Sequence, residues 1–295
     1  MRKDQGEQSM TDFSNVLLAS DYDRTMTGFD GEVPAANLAA VDEFLALGGA
    51  FTIATGRSKP MFAEPLRKLR VNAPVILANG AAVWEPEGDR VTVLHSLSGE
   101  ALAAIREIRR QFPGLRLELQ GLRAHRCFGR DALRDAYLER YGIEACYDGW
   151  EDLNDTILTA SFYAPFRSVG HSRTEETSEA EERPFAEMAR LVETQYAPLL
   201  EPVRSMPRMI ELLPRGCGKG RTARWLAGRL GRKVLYCAGD APNDLPMLTE
   251  ADEAFIPSTA DPGVTGLGFT EAASCDAGTV ASIVALLKQR REGGG

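Results

Sequence analysis

The sequence has few of the residues that build zinc knuckles or disulfide frameworks, and no excess of positive charge. Its five cysteines are odd in number and lack C-x-x-C spacing, which argues against both kinds of site and favours a reducing, cytoplasmic location. With three histidines in the chain, acid–base chemistry has to rest mainly on carboxylates. The formal charge of −8 disfavours a nucleic-acid binder, because that class neutralises phosphates with cations.

Long apolar runs are also missing. The longest, 16–19 and 280–287, have the size of a strand and a helix and fall short of the roughly 18 residues of a membrane span. The first ten residues, MRKDQGEQSM, lack the apolar stretch of a secretory signal, and Met10 is a second possible start. We therefore expect neither a membrane nor a nucleic acid as a partner.

The composition is that of an ordinary folded protein. Apolar residues make up 44% of the 295-residue chain and charged residues 26%, which excludes wholesale disorder. At about 150 residues per domain, the length predicts roughly two domains. The first 80 residues alternate apolar runs with helical spacings, predicting strands at 16–19, 51–54 and 74–78 and helices at 34–47 and 60–69. This alternation predicts a parallel sheet with right-handed crossovers that includes all three strands.

The same alternation returns near the C-terminus, with strands predicted at 234–237 and 254–256 between helices. Between the two ends, alternating strands are mixed with helices, as in sheets with one exposed face. We therefore predict one core built from residues 1–82 and 208–295, and an α+β domain inserted at 83–207.

Two carboxylates follow the first predicted strand. Asp21 and Asp23 are two residues apart, so in an extended segment both point the same way, although a turn can re-aim either. Ligands of open parallel sheets bind beyond the carboxyl ends of the strands, which is where this pair lies. Alone, the pair is equally compatible with a solvated turn.

A second acidic pair follows the predicted strand at 234–237. Asp240 and Asp244 are four residues apart, and together with the first pair they could complete a Mg²⁺ site. Asn243 is placed to N-cap the next helix. The simpler alternative is a capped loop in which the acids interact with the helix dipole.

Two further loops contain groups suited to a phosphate. Thr55, Gly56 and Arg57 follow the second strand and offer a hydroxyl, backbone N–H groups and a cation. Lys219 lies in a glycine-rich loop, Gly216-Cys217-Gly218-Lys219-Gly220, that lacks the spacing of a P-loop. Separately, the first segment is typical of a turn and the lysine of a solvated surface charge.

Together, these four loops resemble the motifs of the haloacid dehalogenase superfamily, and within it the Cof-type (subfamily IIB) sugar-phosphate phosphatases. The matching segments are D-Y-D-R-T at 21–25, T-G-R-S at 55–58, G-K-G at 218–220 and G-D-A-P-N-D-L-P-M-L at 239–248. Asn79-Gly80-Ala81 and the large insertion also match, and the similarity extends over the chain from about Val16. Arg24 is a departure, because the family usually has Gly there.

The resemblance implies a Rossmann-like α/β core with an inserted α+β cap, and Mg²⁺-dependent hydrolysis of small phosphomonoesters, among them sugar phosphates. It implies that Asp21 is the nucleophile that forms an aspartyl-phosphate and that Asp23 is the general acid and base. The Mg²⁺ ligands would be Asp21, the Asp23 backbone carbonyl, Asp240 and Asp244. The residues implied to bind substrate are Thr55, Gly56, Arg57, Asn79, Lys219 and Asn243. The expected partner is a small phosphorylated metabolite, bound by a monomer or weak homodimer.

Two other functions remain open at this point. A phosphotransferase of the phosphomannomutase type shares the superfamily layout, and a non-catalytic sugar-phosphate binder is a third possibility, which the intact Asp21 and Asp23 disfavour. A signalling receiver domain also uses Asp, Thr, Lys and Mg²⁺, but its third strand ends in a phospho-acceptor, whereas the third strand here ends in Ala78-Asn79.

The predicted cap contains one cluster of cations and a histidine. Arg123, His125 and Arg126 fall in a predicted strand and could meet a sugar or a second anion, although an ordinary outward-facing strand is the simpler expectation. Cys217 adjoins the proposed phosphate loop, but we do not expect a catalytic thiol, because the carboxylates already suffice.

Overall fold

The computed structural model of the chain describes residues 12–147, 149–167 and 177–292, so the second possible start at Met10 lies outside it. The strands in these ranges are β1 (Val16–Ser20), β2 (Ala50–Ile53), β3 (Val75–Leu77), β4 (Ala82–Glu85), β5 (Arg90–Val93), β6 (Arg116–Gly121), β7 (His125–Phe128), β8 (Ala145–Cys146), β9 (Ile157–Tyr163), β10 (Leu200–Val203), β11 (Met209–Pro214), β12 (Val234–Ala238), β13 (Glu253–Pro257) and β14 (Thr270–Ala272). The α-helices are α1 (Ala35–Ala46), α2 (Lys59–Leu66), α3 (Gly99–Gln111), α4 (Ala132–Glu139), α5 (Glu179–Leu191), α6 (Lys219–Arg229), α7 (Leu245–Glu250) and α8 (Thr279–Glu292).

The chain divides into two compact units. The first comprises the chain up to Ala54, a short return at Leu69–Pro74 and everything from Ala223 onward. The second comprises Thr55–Lys68 and Val75–Thr222. The predicted domain boundaries, after residues 82 and 207, follow the sequence motifs rather than this division and stay a prediction.

The first unit is built on a parallel sheet in the order β14-β13-β12-β1-β2. All five residues of β1 are buried, as expected for a central parallel strand covered on both faces. Helices α1 and α8 pack together. Asn37 on α1 accepts from the backbone of Ala281 and donates to the carbonyl of Met26. The predicted α/β class with a parallel-sheet core is confirmed.

The second unit contains two other sheets. The larger has the order β10-β11-β9-β6-β7-β8 and is antiparallel except for the β7–β8 pair. Alternate residues such as Leu117, Phe162 and Ile210 form an apolar face that packs with side chains of α3 and α5. The smaller sheet, β3-β4-β5, is antiparallel.

The third predicted strand does form, but its predicted place in the parallel sheet is wrong. Val75–Leu77 pairs antiparallel with β4 instead of forming a ladder with β2. The turn at Ala78–Gly80 reverses the chain and gives β3 this antiparallel neighbour. On the other side of β3, a backbone hydrogen bond joins it to the segment just after β2, where the Thr55 N–H donates to the Ile76 carbonyl at 2.9 Å. Among the described residues, no helix combines the length and apolarity needed to cross a membrane.

Candidate active site

Asp21 lies at the carboxyl end of the central strand β1. Its backbone N–H donates to the carbonyl of Ala238 on β12 at 2.8 Å, and the residue is 2% exposed. The strand ends there, and Tyr22–Met26 forms a wide turn that the Thr27 N–H closes by donating to the Tyr22 carbonyl at 3.0 Å. Within this turn Asp23 keeps ψ 118° and is half-buried. The two aspartates therefore differ in burial, Asp21 being buried and Asp23 half-buried.

Arg24 lies in the same turn and adopts φ 63°, in the left-handed region that favours glycine. Its guanidinium carbon lies 5.2 Å from the centroid of the Phe29 ring, within the range of a cation–π contact. The family usually has Gly at this position, and Arg24 is accommodated here by a strained backbone conformation. The substitution leaves the two aspartates in place.

The second acidic pair is held by the loop after β12. Asp244 accepts the backbone N–H groups of Asp240 and Ala241, each at 3.2 Å. Gly239 makes this possible, since a Cβ there would lie 2.6 Å from the Cβ of Asp244. The predicted N-cap role of Asn243 is therefore wrong: the Asp244 carboxylate caps this turn, and Asn243 Oδ1 has no hydrogen-bond partner among the described residues.

Three of the predicted metal ligands converge. Carboxylate oxygens of Asp21, Asp240 and Asp244 lie within 4.8 Å of one another, and all three residues are buried. The carboxylate of Asp23 is not a member of this group, which agrees with a role through its backbone carbonyl. Buried carboxylates at such distances repel one another unless a cation or protons lie among them. A set of hard, anionic oxygen donors is what Mg²⁺ binds, so the residues present fit that ion.

The predicted phosphate-binding residues of the second unit also lie together. Asn79 donates its backbone N–H to the Thr55 carbonyl at 3.0 Å, and Thr55 Oγ1 accepts the N–H of Arg57 at 3.1 Å. A Cβ on Gly56 would come within 3.2 Å of the Asn79 side chain. Arg57 is half-buried, with its guanidinium carbon 5.8 Å from the ring centroid of Tyr141.

Lys219 is positioned by the turn after β3. Ala78, Asn79 and Gly80 all have positive φ, and a Cβ on Gly80 would lie 2.5 Å from the carbonyl oxygen of Gly218. The Gly80 carbonyl accepts the hydroxyl of Thr222, on the first turn of α6, at 2.9 Å. Lys219 begins that helix and is 3% exposed. The glycine-rich loop is therefore a packed segment rather than a solvated one.

Glu211 belongs to this group and was missed at the level of sequence. It lies on β11, is fully buried, and accepts the Asn79 side-chain amide at 3.0 Å and the Ser205 hydroxyl. Burial raises the pKa of Glu211, which the nearby Lys219 ammonium partly counteracts. The signal was present: an acid in the apolar run Met-Ile-Glu-Leu-Leu is unusual unless it has buried partners.

His125 is buried, so the expectation of an outward-facing strand is wrong for this residue. Its Nε2 lies 3.1 Å from Ser58 Oγ, and burial lowers the pKa of His125 to about 4. Arg123 is exposed and precedes β7, so the observed strand does not include it, whereas Arg126 lies in β7 and is half-buried. Burial also raises the pKa of Cys217 to about 12, which keeps this thiol protonated at neutral pH.

The structure thus brings the predicted residues together in two sets. Asp21, Asp23, Asp240, Asn243 and Asp244 belong to the first unit. The second unit holds the remaining predicted substrate-binding residues, which are Thr55, Gly56, Arg57, Asn79 and Lys219.

Comparison with solved structures identifies similar folds at low sequence identity. A haloacid dehalogenase-like hydrolase from Bacteroides thetaiotaomicron superimposes with a TM-score of 0.72 at 17% identity, covering 92% of this chain and 98% of that one. A haloacid dehalogenase-like hydrolase from B. subtilis gives 0.72 at 20% identity, with 91% and 98% covered. A subclass IIB sugar phosphatase of the same superfamily gives 0.71 at 17% identity, with 94% and 99% covered.

A search of curated proteins gave no match. The family model described as haloacid dehalogenase-like hydrolase matches residues 18–267, which include all four motif loops. The resemblance seen in the motifs is confirmed by this match, and the chain belongs to the haloacid dehalogenase-like hydrolase family.

Proposed function

We propose that this protein is a Mg²⁺-dependent phosphatase that hydrolyses small phosphomonoesters, sugar phosphates among them, through an aspartyl-phosphate. The observation that carries the proposal is the convergence of Asp21, Asp240 and Asp244 at the carboxyl end of a parallel sheet, in a chain of this hydrolase family. The fold similarity to a subclass IIB sugar phosphatase supports the substrate class.

Asp21 supplies the nucleophile. A carboxylate oxygen of Asp21 attacks phosphorus as the bond to the leaving oxygen breaks, giving an aspartyl-phosphate and a free alcohol. Water then attacks the phosphorus of this intermediate, which releases inorganic phosphate and regenerates the carboxylate. The burial of Asp21 excludes bulk water from the attacking oxygen.

Asp23 manages the proton. In the first step it protonates the leaving oxygen, and in the second it takes a proton from the attacking water. With no histidine in the four motif loops, this half-buried carboxyl is the best-placed group for both transfers.

The phosphoryl oxygens need compensating charge and hydrogen-bond donors. Lys219 provides a cation held on a packed helix start, and Thr55 and the Gly56 backbone provide neutral donors. Arg57, Asn79 and Asn243 are the further substrate ligands. The carboxylates of Asp21, Asp240 and Asp244 and the Asp23 carbonyl would hold Mg²⁺, which would offset the negative charge of the phosphoryl group.

The test is a phosphate-release screen over hexose, pentose and polyol phosphates, nucleotides and pyridoxal phosphate, with p-nitrophenyl phosphate as the general probe. Wild type should release phosphate with Mg²⁺ and lose activity with EDTA. Asp21→Asn should be inactive, whereas the exposed Asp42→Asn control on α1 should match wild type. An active Asp21→Asn protein would contradict the nucleophile assignment. A need for a bisphosphate activator, without net phosphate release, would favour a mutase.

We also propose a cellular location and a partner for the enzyme. All five cysteines are free thiols, which suits a reducing cytoplasm. The partner we propose is a small phosphorylated metabolite acted on by a monomer or weak homodimer.

A further inference from the structure

One side of the six-stranded sheet is polar and yet buried. Strand alternation and the cross-strand registers direct one set of side chains to the side opposite the apolar face. We call this side the polar face; the residues that define it are Glu118, Gln120, His125, Thr159, Ser161 and Glu211, all of them buried. Buried polar groups normally find hydrogen-bond partners, so each group on the polar face has to be accounted for.

The charged groups of the polar face are matched. Glu118 accepts from Arg134 through both carboxylate oxygens, at 3.0 and 2.7 Å, and pairs with Arg116 at 2.8 Å. These guanidinium groups hold the pKa of Glu118 below its usual range although burial opposes them. Glu211 is engaged by Asn79, as described above. These carboxyl groups therefore need no additional ligand.

Three neutral groups of the polar face are not matched. Gln120 Nε2, His125 Nδ1 and Thr159 Oγ1 have no hydrogen-bond partner among the described residues. The three residues are 7%, 4% and 0% exposed. They form one row, because Gln120 pairs with His125 on one neighbouring strand and with Thr159 on the other. Burying such groups without a partner lowers the stability of the fold. A protein is expected to carry this cost where a ligand supplies the missing hydrogen bonds.

The chemistry of the row defines the ligand. Gln120 Nε2 donates, the Thr159 hydroxyl both donates and accepts, and the neutral imidazole of His125 can do either at Nδ1. A hydroxyl group can satisfy each of them. None of the three carries a charge, so a second phosphate or a carboxylate would be desolvated in the row without gaining an ion pair there.

The row is also connected to the proposed phosphate loop. The other ring nitrogen of His125 lies 3.1 Å from the hydroxyl of Ser58, three residues after Thr55. Both segments belong to the same compact unit. His125 therefore joins the row to the loop that contains Thr55, the proposed phosphate ligand.

We propose that Gln120, His125 and Thr159 form a subsite that binds hydroxyl groups of the substrate's leaving group, and that the preferred substrates are monophosphates of uncharged sugars or polyols. This inference rests on the proposed phosphatase function, which it narrows from phosphomonoesters in general to polyhydroxylated, otherwise neutral ones.

The test compares kcat/KM on two kinds of substrate. Thr159→Val and Gln120→Leu remove a hydrogen-bonding group at nearly constant volume. The probes are the hexose or polyol monophosphate that wild type hydrolyses best, and phenyl phosphate, whose leaving group carries no further hydroxyl. Each variant should lose about tenfold or more on the first probe and stay within about twofold on phenyl phosphate. Thr156→Val, which removes an exposed hydroxyl just before β9, should behave as wild type.

Several outcomes would overturn the subsite. Equal losses on both probes would mean a structural role, and unchanged kinetics in both variants would mean no role. Wild-type preference for phenyl phosphate, or for a hexose bisphosphate over the matching monophosphate, would also contradict it. The melting temperature of each variant identifies a variant that has failed to fold, and the other variant then decides.

If wild type hydrolyses no phosphomonoester, the proposed phosphatase function is contradicted, independently of the subsite. The subsite is then tested by saturation-transfer NMR with free glucose and sorbitol. A signal in wild type that Thr159→Val loses and Thr156→Val keeps supports the subsite. Absence of a signal in wild type, or a signal that Thr159→Val retains, overturns it.

Discussion

At the scale of single residues, the two aspartates of the first loop have different surroundings and therefore different expected roles. Asp21 is buried with two other carboxylates, whereas Asp23 is half-buried in the following turn and outside that group. A carboxylate among negative charges is suited to holding a cation and attacking phosphorus once the charge is offset. A carboxyl outside the group is suited to exchanging a proton with the leaving group and then with water.

This difference predicts an unusual time course for Asp23→Asn. p-Nitrophenolate leaves without protonation, so the first step should proceed, while the second lacks its base and should slow by roughly 10²–10⁴-fold. Rapid-mixing measurements should show a burst of about one p-nitrophenolate per enzyme followed by slow turnover. Alkyl phosphates, whose leaving group needs the proton, should show no burst. A burst-free loss of activity on p-nitrophenyl phosphate would contradict the proton-transfer role.

His125 predicts a pH dependence of stability. Its folded pKa of about 4 lies below the ordinary value of 6.5. Between these values the unfolded chain binds a proton that the folded chain does not, so the free energy of unfolding falls as the pH is lowered from 6.5 to 4. Above pH 6.5 both states are neutral and the contribution is fully present. The loss over this window is about 3 kcal/mol.

Urea unfolding at several pH values measures this contribution. His125→Gln removes the titrating group, so its free energy of unfolding should fall less steeply than that of wild type between pH 6.5 and 4. The same slope in both proteins would contradict the assignment. The carboxyl groups common to both proteins cancel in this comparison.

At the scale of elements, the turn Ala78–Gly80 has the largest effect on the site. It ends β3, reverses the chain into β4 and packs against the loop that precedes α6. Three consecutive residues with positive φ are costly for Ala and Asn and natural for Gly. Such a turn persists because hydrogen bonds and packing hold it, and here it positions Asn79 and the start of α6.

Gly80→Ala tests the importance of this turn. The added Cβ would lie 2.5 Å from the Gly218 carbonyl, at a φ of 98°. We expect a loss of more than about 1 kcal/mol of stability and a higher KM, because the loop that carries Lys219 has to move. Gly88→Ala is the matched control, since no atom lies within 4 Å of its added Cβ. Equal melting temperatures and KM values for the two variants would contradict this role.

Elements whose apolar pattern is complete were predictable from the sequence. β1 and α1 formed within a residue or two of their predicted ranges. The antiparallel pairing of β3 with β4 was not predictable, because the turn between them needs positive φ at Ala78 and Asn79, which are not glycines. β14 was missed because Thr-Glu-Ala carries no alternation.

The residues of the candidate site likewise divide into those that the sequence indicated and those that it did not. Residues in loops after strands were found, because their type and place both indicate ligand binding. Glu211 and the inward side of His125 were missed. Their significance depends on which face of an antiparallel sheet is covered, and alternation alone leaves both faces equivalent.

At the scale of the whole molecule, the acidic group predicts that Mg²⁺ stabilises the fold. Three buried carboxylates within 4.8 Å of one another disfavour folding until a cation offsets their charge. At about 100 times its Kd, a ligand that binds only the folded state adds about 2.7 kcal/mol, or roughly 5–10 °C in Tm. Calorimetry with Mg²⁺ and with EDTA measures this shift.

Asp240→Asn distinguishes a metal effect from general ionic strength. This variant should lose most of the Mg²⁺-dependent rise in Tm and melt higher than wild type in EDTA, because one repelling charge is gone. Asp42→Asn should keep the wild-type rise. A wild type that Mg²⁺ does not stabilise, or an equal rise in Asp240→Asn, would contradict the metal site.

The parallel sheet has a consequence for how the chain folds as it is made. β1 lies between β2 and β12, and Val16 pairs with Val234, which is 218 residues later in the chain. At 5–20 residues per second, roughly 10–40 s pass between the synthesis of these two partners. During that time β1 has an open edge, so the nascent chain depends on β2 and α1, or on a chaperone, to keep it from pairing wrongly. A ribosome stalled between residues 214 and 234 therefore carries an incomplete parallel sheet, whereas the strands of the six-stranded sheet have all been synthesised.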